Sequence, residues 1–345
     1  MGEKMDLSGL NEMQRKAVEQ TTGPLLILAG AGSGKTRTLT HRAAYLVENG
    51  VAPRNILCIT FTNKAANEMK TRIDKLIGAG AQDMWVCTFH SMCARILRMD
   101  GERIGLSRYF TIYDTDDVLR LVKQCLRDLD MDEKFFNPRR VAEAISDAKN
   151  KGWSPMAAAS HGAGDLFKER CADVYELYEA RLKANNAVDF DNLLLKTVEL
   201  LQNDQDTLEY YSNRFQYICV DEYQDTNITQ YQLVRMLAAH GNICVVGDDD
   251  QSIYAWRGAD IRNILEFEQD FPDAVVIRLE QNYRSTGNIL DAANHVIDHN
   301  HGRKGKTLWT AKGQGEQVEV FRAVTERDEA DYIIGKMQSL MHDYR

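Results

Sequence analysis

Ala29-Gly30-Ala31-Gly32-Ser33-Gly34-Lys35-Thr36 is the stretch on which the reading of this chain turns. It follows an apolar run at 24–28 that reads as a buried strand. It precedes an amphipathic run at 37–48 that reads as a helix closed by Gly50. Strand, glycine-rich loop, Gly-Lys-Thr and helix make the context of a P-loop. The glycines let backbone N–H groups turn inward around a phosphate, and the helix N-terminus adds partial positive charge. Lys35 is placed to reach the β- and γ-phosphates of a nucleotide, and Thr36 to put its hydroxyl on Mg2+. The strict pattern opens with Gly where Ala29 stands. That position ends the strand, so a small residue suffices. An ordinary Gly/Ser turn is the alternative, and it leaves the flanking strand and helix unexplained.

The strand–helix alternation continues outward from the loop. Residues 10–20 read as an amphipathic helix, 56–61 as a strand, 64–77 as a helix capped by Asn63 and ended by Gly78, and 84–88 as a third strand before a helix at 89–99. This is the pattern of a parallel sheet in an α/β fold. From 107 to 212 nearly everything reads helical, with starts at Asp114, Asn137-Pro138 and Asp189, and the block reads as a helical insertion. Strands resume at 216–220, 243–247 and 274–279, with a helix at 227–239 between the first two. A helix at 286–299, a basic turn at 303–306, a strand at 317–321 and a helix at 326–341 follow. These last elements are too few to bury a core of their own, so the chain is expected to be a fragment cut inside a second domain.

Composition bounds the function. The 345 residues are 44% hydrophobic and 27% charged, as in soluble globular proteins. No run approaches the ~20 apolar residues of a membrane span, and the first ten residues hold no signal-peptide core. Seven scattered cysteines form no Cys-x-x-Cys pair, which reads as reduced, cytosolic usage with no zinc or iron–sulfur framework. A net charge of −9 argues against a non-specific polybasic binder and leaves room for a local basic groove.

Several stretches carry further chemistry. Asp221-Glu222 closes the strand at 216–220; Asp221 is the candidate to hold Mg2+ beside the P-loop, and Glu222 to orient and deprotonate an attacking water. In 247–258, Gln251 is placed to touch a γ-phosphate or its water. Tyr254, Trp256 and Arg257 offer flat surfaces to single-stranded bases. Aromatic spacing alone favours a core position for Trp256. Thr60-Phe61-Thr62-Asn63 and Thr88-Phe89-His90-Ser91 each end a strand with an aromatic and small polar groups, suited to backbone phosphates or to plain helix caps. Tyr283-Arg284 puts an aromatic and an arginine at the junction with the second domain. Arg284 fits an arginine-finger position or a surface salt bridge. Arg139, Arg140, Lys149 and Lys151 read as a solvated basic helix face.

Together these stretches resemble the UvrD/PcrA/Rep family of superfamily 1 DNA helicases, from Leu10 to the end of the chain. The resemblance gives Gln14 to adenine recognition, residues 29–36 (Ala29, Gly30, Ala31, Gly32, Ser33, Gly34, Lys35 and Thr36) to the phosphates, and Arg37 to the adenine flank. It gives Tyr283 to stacking on adenine and Arg284 to the γ-phosphate. It makes Asp221–Asp225 the Walker B segment and 247–258 the segment that couples γ-phosphate to DNA. Phe61, Asn63, Phe89, His90, Tyr254, Trp256 and Arg257 become DNA contacts. It implies a RecA-like first motor domain at 1–106 and 212–282, a helical accessory insertion at 107–211, and an incomplete second motor domain at 283–345. It further implies ATP and Mg2+ as cofactors, single-stranded and 3′-tailed duplex DNA as partners, 3′-to-5′ translocation in repair and replication, and a cytoplasmic, nucleoid-associated location without membrane contact. The later family motifs are absent, so unwinding by these residues alone is not expected. Two rival readings are a P-loop switch that does not touch nucleic acid, which the aromatic motifs disfavour, and a helicase–nuclease fusion.

Overall fold

The computed structural model describes residues 5–300 and 302–343, apart from the side chains at 79, 80, 257 and 343. Its strands are β1 (Leu25–Ala29), β2 (Ile56–Thr60), β3 (Trp85–Thr88), β4 (Thr111–Ile112), β5 (Ala187–Val188), β6 (Tyr217–Val220), β7 (Ile243–Gly247) and β8 (Val275–Leu279). Six of them form one parallel sheet in the order β3-β2-β6-β7-β1-β8. Successive side chains of a strand point to opposite faces. Leu26, Leu28, Leu57, Ile59, Ile218, Val220 and Val245 therefore enter one core, while Leu25, Ile27, Ile56, Cys58, Cys219, Cys244 and Val246 enter the other. Both faces are covered over the middle of the sheet, which is why β1, β2 and β7 read as unbroken buried runs.

Helices α1 (Glu12–Glu19), α2 (Lys35–Glu48) and α3 (Asn63–Ile77) cover the second of these faces through Ala17, Leu39, Ala43, Met69 and Ile73. The cap of α3 is Thr62, whose hydroxyl accepts from Ala65 N at 3.1 Å, and not Asn63. Thr62 keeps the extended backbone that a cap residue needs, while Asn63 is already helical. Helix α4 (Phe89–Asp100) covers the other face.

The long helical block then divides. Helices α5 (Thr115–Asp128), α6 (Pro138–Asn150), α7 (Pro155–His161) and α8 (Leu166–Ala184) lead away from the sheet. Val122, Leu126, Val141, Ile145, Val174 and Tyr178 form a separate core among α5, α6 and α8. Helices α9 (Phe190–Asn203), α10 (Gln205–Arg214) and α11 (Ile228–Leu237) pack back on the sheet core through Leu193, Tyr211 and Leu233. The block is not wholly helical, because β4 and β5 pair in a short parallel ladder at its base. After two single-turn helices, α12 (Arg262–Leu265) and α13 (Phe267–Asp270), and β8, the chain forms α14 (Gly287–Ile297) and α15 (Glu326–Asp343). Residues 317–321 are not a strand. Val318 and Val320 are exposed, and a lone extended segment has no ladder to join. No helix among the described residues is long and apolar enough to cross a membrane.

Lys149 departs from the expected solvated face. It is fully buried, with Nζ 2.6 Å from both Glu179 Oε1 and Asp189 Oδ2. Burial pulls its pKa down, but the two carboxylates outweigh burial and the net shift is upward. Helical spacing cannot show that α8 and the cap of α9 bring these acids to that face. Arg139 and Arg140 are exposed as expected, and the ammonium of Lys151 lies 4.8 Å from the ring centre of Trp153. Lys149→Met strands two acids in a closed space. It is expected to lower folding stability by about 3–5 kcal/mol, read by urea unfolding. A loss under about 1 kcal/mol would mean that water reaches the site.

Candidate active site

The carboxyl ends of the parallel strands share one edge, where open α/β sheets bind ligands. The loop after β1 curls there, with Gly32 and Gly34 at φ 70° and 90°. Both conformations are left-handed, and both positions are crowded. A Cβ on Gly32 would sit 2.8 Å from Asn282 Nδ2, and one on Gly34 2.6 Å from Gln14 Nε2. Ala29 ends β1 fully buried, as its place in the motif expects. Gly30 O accepts from Ser33 Oγ at 2.7 Å, which closes the loop on itself. Lys35 and Thr36 open α2.

Two strands away, β6 delivers the acids. Thr36 Oγ1 lies 3.5 Å from Asp221 Oδ2, and Lys35 Nζ lies 3.1 Å from Glu222 Oε2. Burial first, then the charge of Glu222, pushes the Asp221 carboxyl up to about 6, against the opposing pull of Lys35. A buried carboxylate beside a threonine hydroxyl is an oxygen donor pair suited to Mg2+. Glu222 has left-handed backbone at φ 51° and ψ 42°. For a non-glycine residue that costs about 1–3 kcal/mol, and here it turns the carboxylate toward the P-loop lysine. Gln224, not singled out from the sequence, bridges onward: Nε2 donates to Glu222 Oε2 at 3.0 Å, and Oε1 accepts from Asp248 N at 3.0 Å. Gln251 Nε2 donates to Asp248 Oδ2. In this structure the amide of Gln251 is therefore held by an aspartate.

The expected adenine residues gather on the other side of the loop. Gln14 is buried and donates from Nε2 to Ser33 O at 2.8 Å. Asn11 caps α1 and donates to Tyr283 Oη at 2.8 Å. Arg37 is exposed beside Gly9. Arg284 is also exposed, and a Cβ on Gly32 would lie 2.7 Å from its Cβ, so the residue abuts the phosphate loop. Asn282 sets this contact. It donates to Ala31 O at 2.6 Å and accepts from Arg284 N at 2.8 Å, while Tyr283 N donates to Gly32 O at 2.9 Å. Nothing in a lone asparagine between two larger motif residues signals that role.

The expected DNA contacts divide. Trp256 is 69% exposed and tilts against Tyr254, with ring centres 6.4 Å apart, so its core reading is set aside. The side chain of Arg257 lies outside the described residues. Asn63 is exposed at the start of α3, and Phe61 is half-buried. Phe89 is 1% exposed and meets the Phe61 ring edge-on at 5.7 Å. It is a core residue that supports Phe61 and presents no face of its own, which corrects its expected role. Thr88 does cap α4, and half-buried His90 lies edge-on to Phe190, burial lowering its pKa.

A P-loop, an acid pair at the end of a strand two places away and a parallel sheet of this order define a RecA-like nucleotide-binding core. The model of the UvrD/REP helicase N-terminal domain matches residues 10–272, and that of the UvrD-like helicase C-terminal domain matches 277–345. The chain belongs to the UvrD/REP helicase family. It is 55% identical over 330 residues to proteins named ATP-dependent DNA helicase PcrA, from Staphylococcus epidermidis and from Staphylococcus aureus strain Mu50. These alignments cover 95% of this chain and 45% of each relative, so the chain spans about half the length of the curated relatives it matches.

Proposed function

We propose that this chain is the ATP- and single-strand-binding part of an ATP-dependent 3′-to-5′ DNA helicase acting in repair and replication. One observation carries the reading: Lys35, Thr36, Asp221 and Glu222 meet at the sheet edge, and the chain Glu222–Gln224–Asp248–Gln251 leads from them to the exposed aromatic loop. The names of the relatives support it. Bound Mg2+ would neutralise phosphate charge, held by Asp221 and Thr36. Lys35 then leaves Glu222 for the phosphates and frees that carboxylate to take a proton from the attacking water. Gln14 and Tyr283 flank the base, and Arg284 adds positive charge at the γ-phosphate. Phe61, Tyr254 and Trp256 present rings to the strand, with Asn63, His90 and Arg257 beside it. The natural substrates in this reading are single-stranded and 3′-tailed duplex DNA in the cytoplasm, at the nucleoid.

Strand displacement by the full-length protein on duplexes with 3′ or 5′ tails tests the reading. Unwinding of the 3′-tailed duplex alone is expected, and preference for the 5′ tail would overturn the polarity. Trp256→Ala should weaken binding to a single-stranded oligonucleotide by about 1–3 kcal/mol, the worth of one base stack, without lowering the melting temperature. Unchanged affinity would remove Trp256 from the interface.

A further inference from the structure

Lys306 has no part in the reading above, yet it is 7% exposed and sits at the end of the catalytic edge. Its ammonium lies 2.6 Å from Asp248 Oδ1, 2.5 Å from Asp249 Oδ1 and 2.7 Å from Asp250 Oδ2. An ammonium has three donors, and here each meets a different carboxylate. The turn that carries it is tied to the same place. Lys304 N donates to Asp249 Oδ2 at 2.8 Å, Arg303 Nε lies 3.4 Å from Asp250 Oδ1, and Arg278 on β8 donates to Gly305 O at 3.0 Å. The three carboxylates offer oxygens within 4.8 Å of one another. Acids that close cannot all stay ionised without a cation among them. Burial alone would lower the pKa of Lys306, but the aspartates outweigh it and raise the pKa.

Asp248 is where this cluster meets the hydrolytic site. One of its oxygens takes Lys306 and the other takes Gln251 Nε2, while its N–H is bound to Gln224, which in turn holds Glu222. The path from Lys35 to Lys306 is unbroken, and it joins the P-loop to the segment beyond β8.

We propose that Lys306 is a positioning residue for ATP hydrolysis: by bridging Asp248, Asp249 and Asp250 with one ammonium, it fixes Asp248 against Gln251 and Gln224. Through it, the placement of Glu222 and Gln251 depends on where the segment 303–306 sits. This rests on the ATP-hydrolysis reading. Without the ammonium the three acids repel one another, Asp248 turns, and Gln251 loses its partner. The ion pairs of Lys306 among the described residues are with Asp248, Asp249 and Asp250 and not with the P-loop, so turnover should suffer and nucleotide binding should not.

The test compares wild type, Lys306→Met and Lys306→Arg in the full-length protein. It reads kcat for hydrolysis with single-stranded DNA, and Kd for a fluorescent ATP analogue. Lys306→Met should lower kcat about tenfold or more, the order expected of a misplaced catalytic group, with Kd unchanged. Lys306→Arg keeps the charge but not the three-way geometry, and should lose only about threefold. Wild-type kcat in Lys306→Met overturns the proposal. Equal loss of kcat, nucleotide affinity and melting temperature, with no recovery in Lys306→Arg, also overturns it and leaves a purely structural lysine. Should Lys306→Met fail to fold by circular dichroism, the neutral polar variant Lys306→Gln takes its place, and wild-type kcat in it overturns the proposal. A wild-type protein that binds no ATP sinks the helicase reading and this inference together, so the two failures are distinguishable.

Discussion

Lys35→Ala is expected to abolish magnesium-nucleotide binding and hydrolysis while the fold persists. The side chain is 12% exposed, and its ammonium meets Glu222, itself 40% exposed. Removing it breaks a partly solvated ion pair, worth about 0–1 kcal/mol of stability. It leaves no hole in either core, because Lys35 opens α2 at the sheet edge. In the proposed complex the ammonium sits on the β- and γ-phosphates, and neither Arg37 nor Arg284 opens the helix where it could replace it. Titration with a fluorescent ATP analogue, beside circular dichroism, checks this. Wild-type affinity in a folded Lys35→Ala variant would remove the P-loop from the account.

Glu222→Gln is expected to separate binding from chemistry. The amide keeps the shape of the side chain and can still meet Gln224, but it cannot accept a proton from water. General-base catalysis contributes about 10²–10⁴-fold, and turnover should fall by that order while ATP affinity holds or rises. Affinity rises if Lys35, no longer facing a carboxylate, is released toward the phosphates. Loss of binding together with turnover would make Glu222 a structural residue, its left-handed backbone serving the turn and not the chemistry. Single-turnover hydrolysis beside the same titration distinguishes the two outcomes.

Much of the fold was legible because its signals are local. A strand buried on both faces reads as an apolar run, so β1, β2, β6 and β7 stood out with their ends nearly placed, and the edge strand β8 by its Val-Val-Ile run. The acids and the P-loop lysine were legible because each follows such a strand directly. What stayed hidden depends on partners distant in sequence. The order β3-β2-β6-β7-β1-β8 sets β7 between the P-loop strand and the strand of Asp221, and no spacing reveals that. Lys149 looked like surface because the acids that bury it come from α8 and the cap of α9. Phe89 looked like a contact because its place beside Phe61 is tertiary. The basic turn at 303–306 gave no sign of its partners, because the three aspartates that hold Lys306 lie before α12. Asn282 and Gln224 make their links with side-chain amides, and amides leave no periodic trace.

The central claim is that nucleotide hydrolysis at the sheet edge answers to DNA held by the loop after β7. Steady-state ATP hydrolysis by the full-length protein, with and without a single-stranded oligonucleotide, tests it most directly. Hydrolysis should rise severalfold when the oligonucleotide is added, and this rise should shrink in Trp256→Ala and vanish in Glu222→Gln. Hydrolysis at one rate with or without single-stranded DNA would contradict the claim.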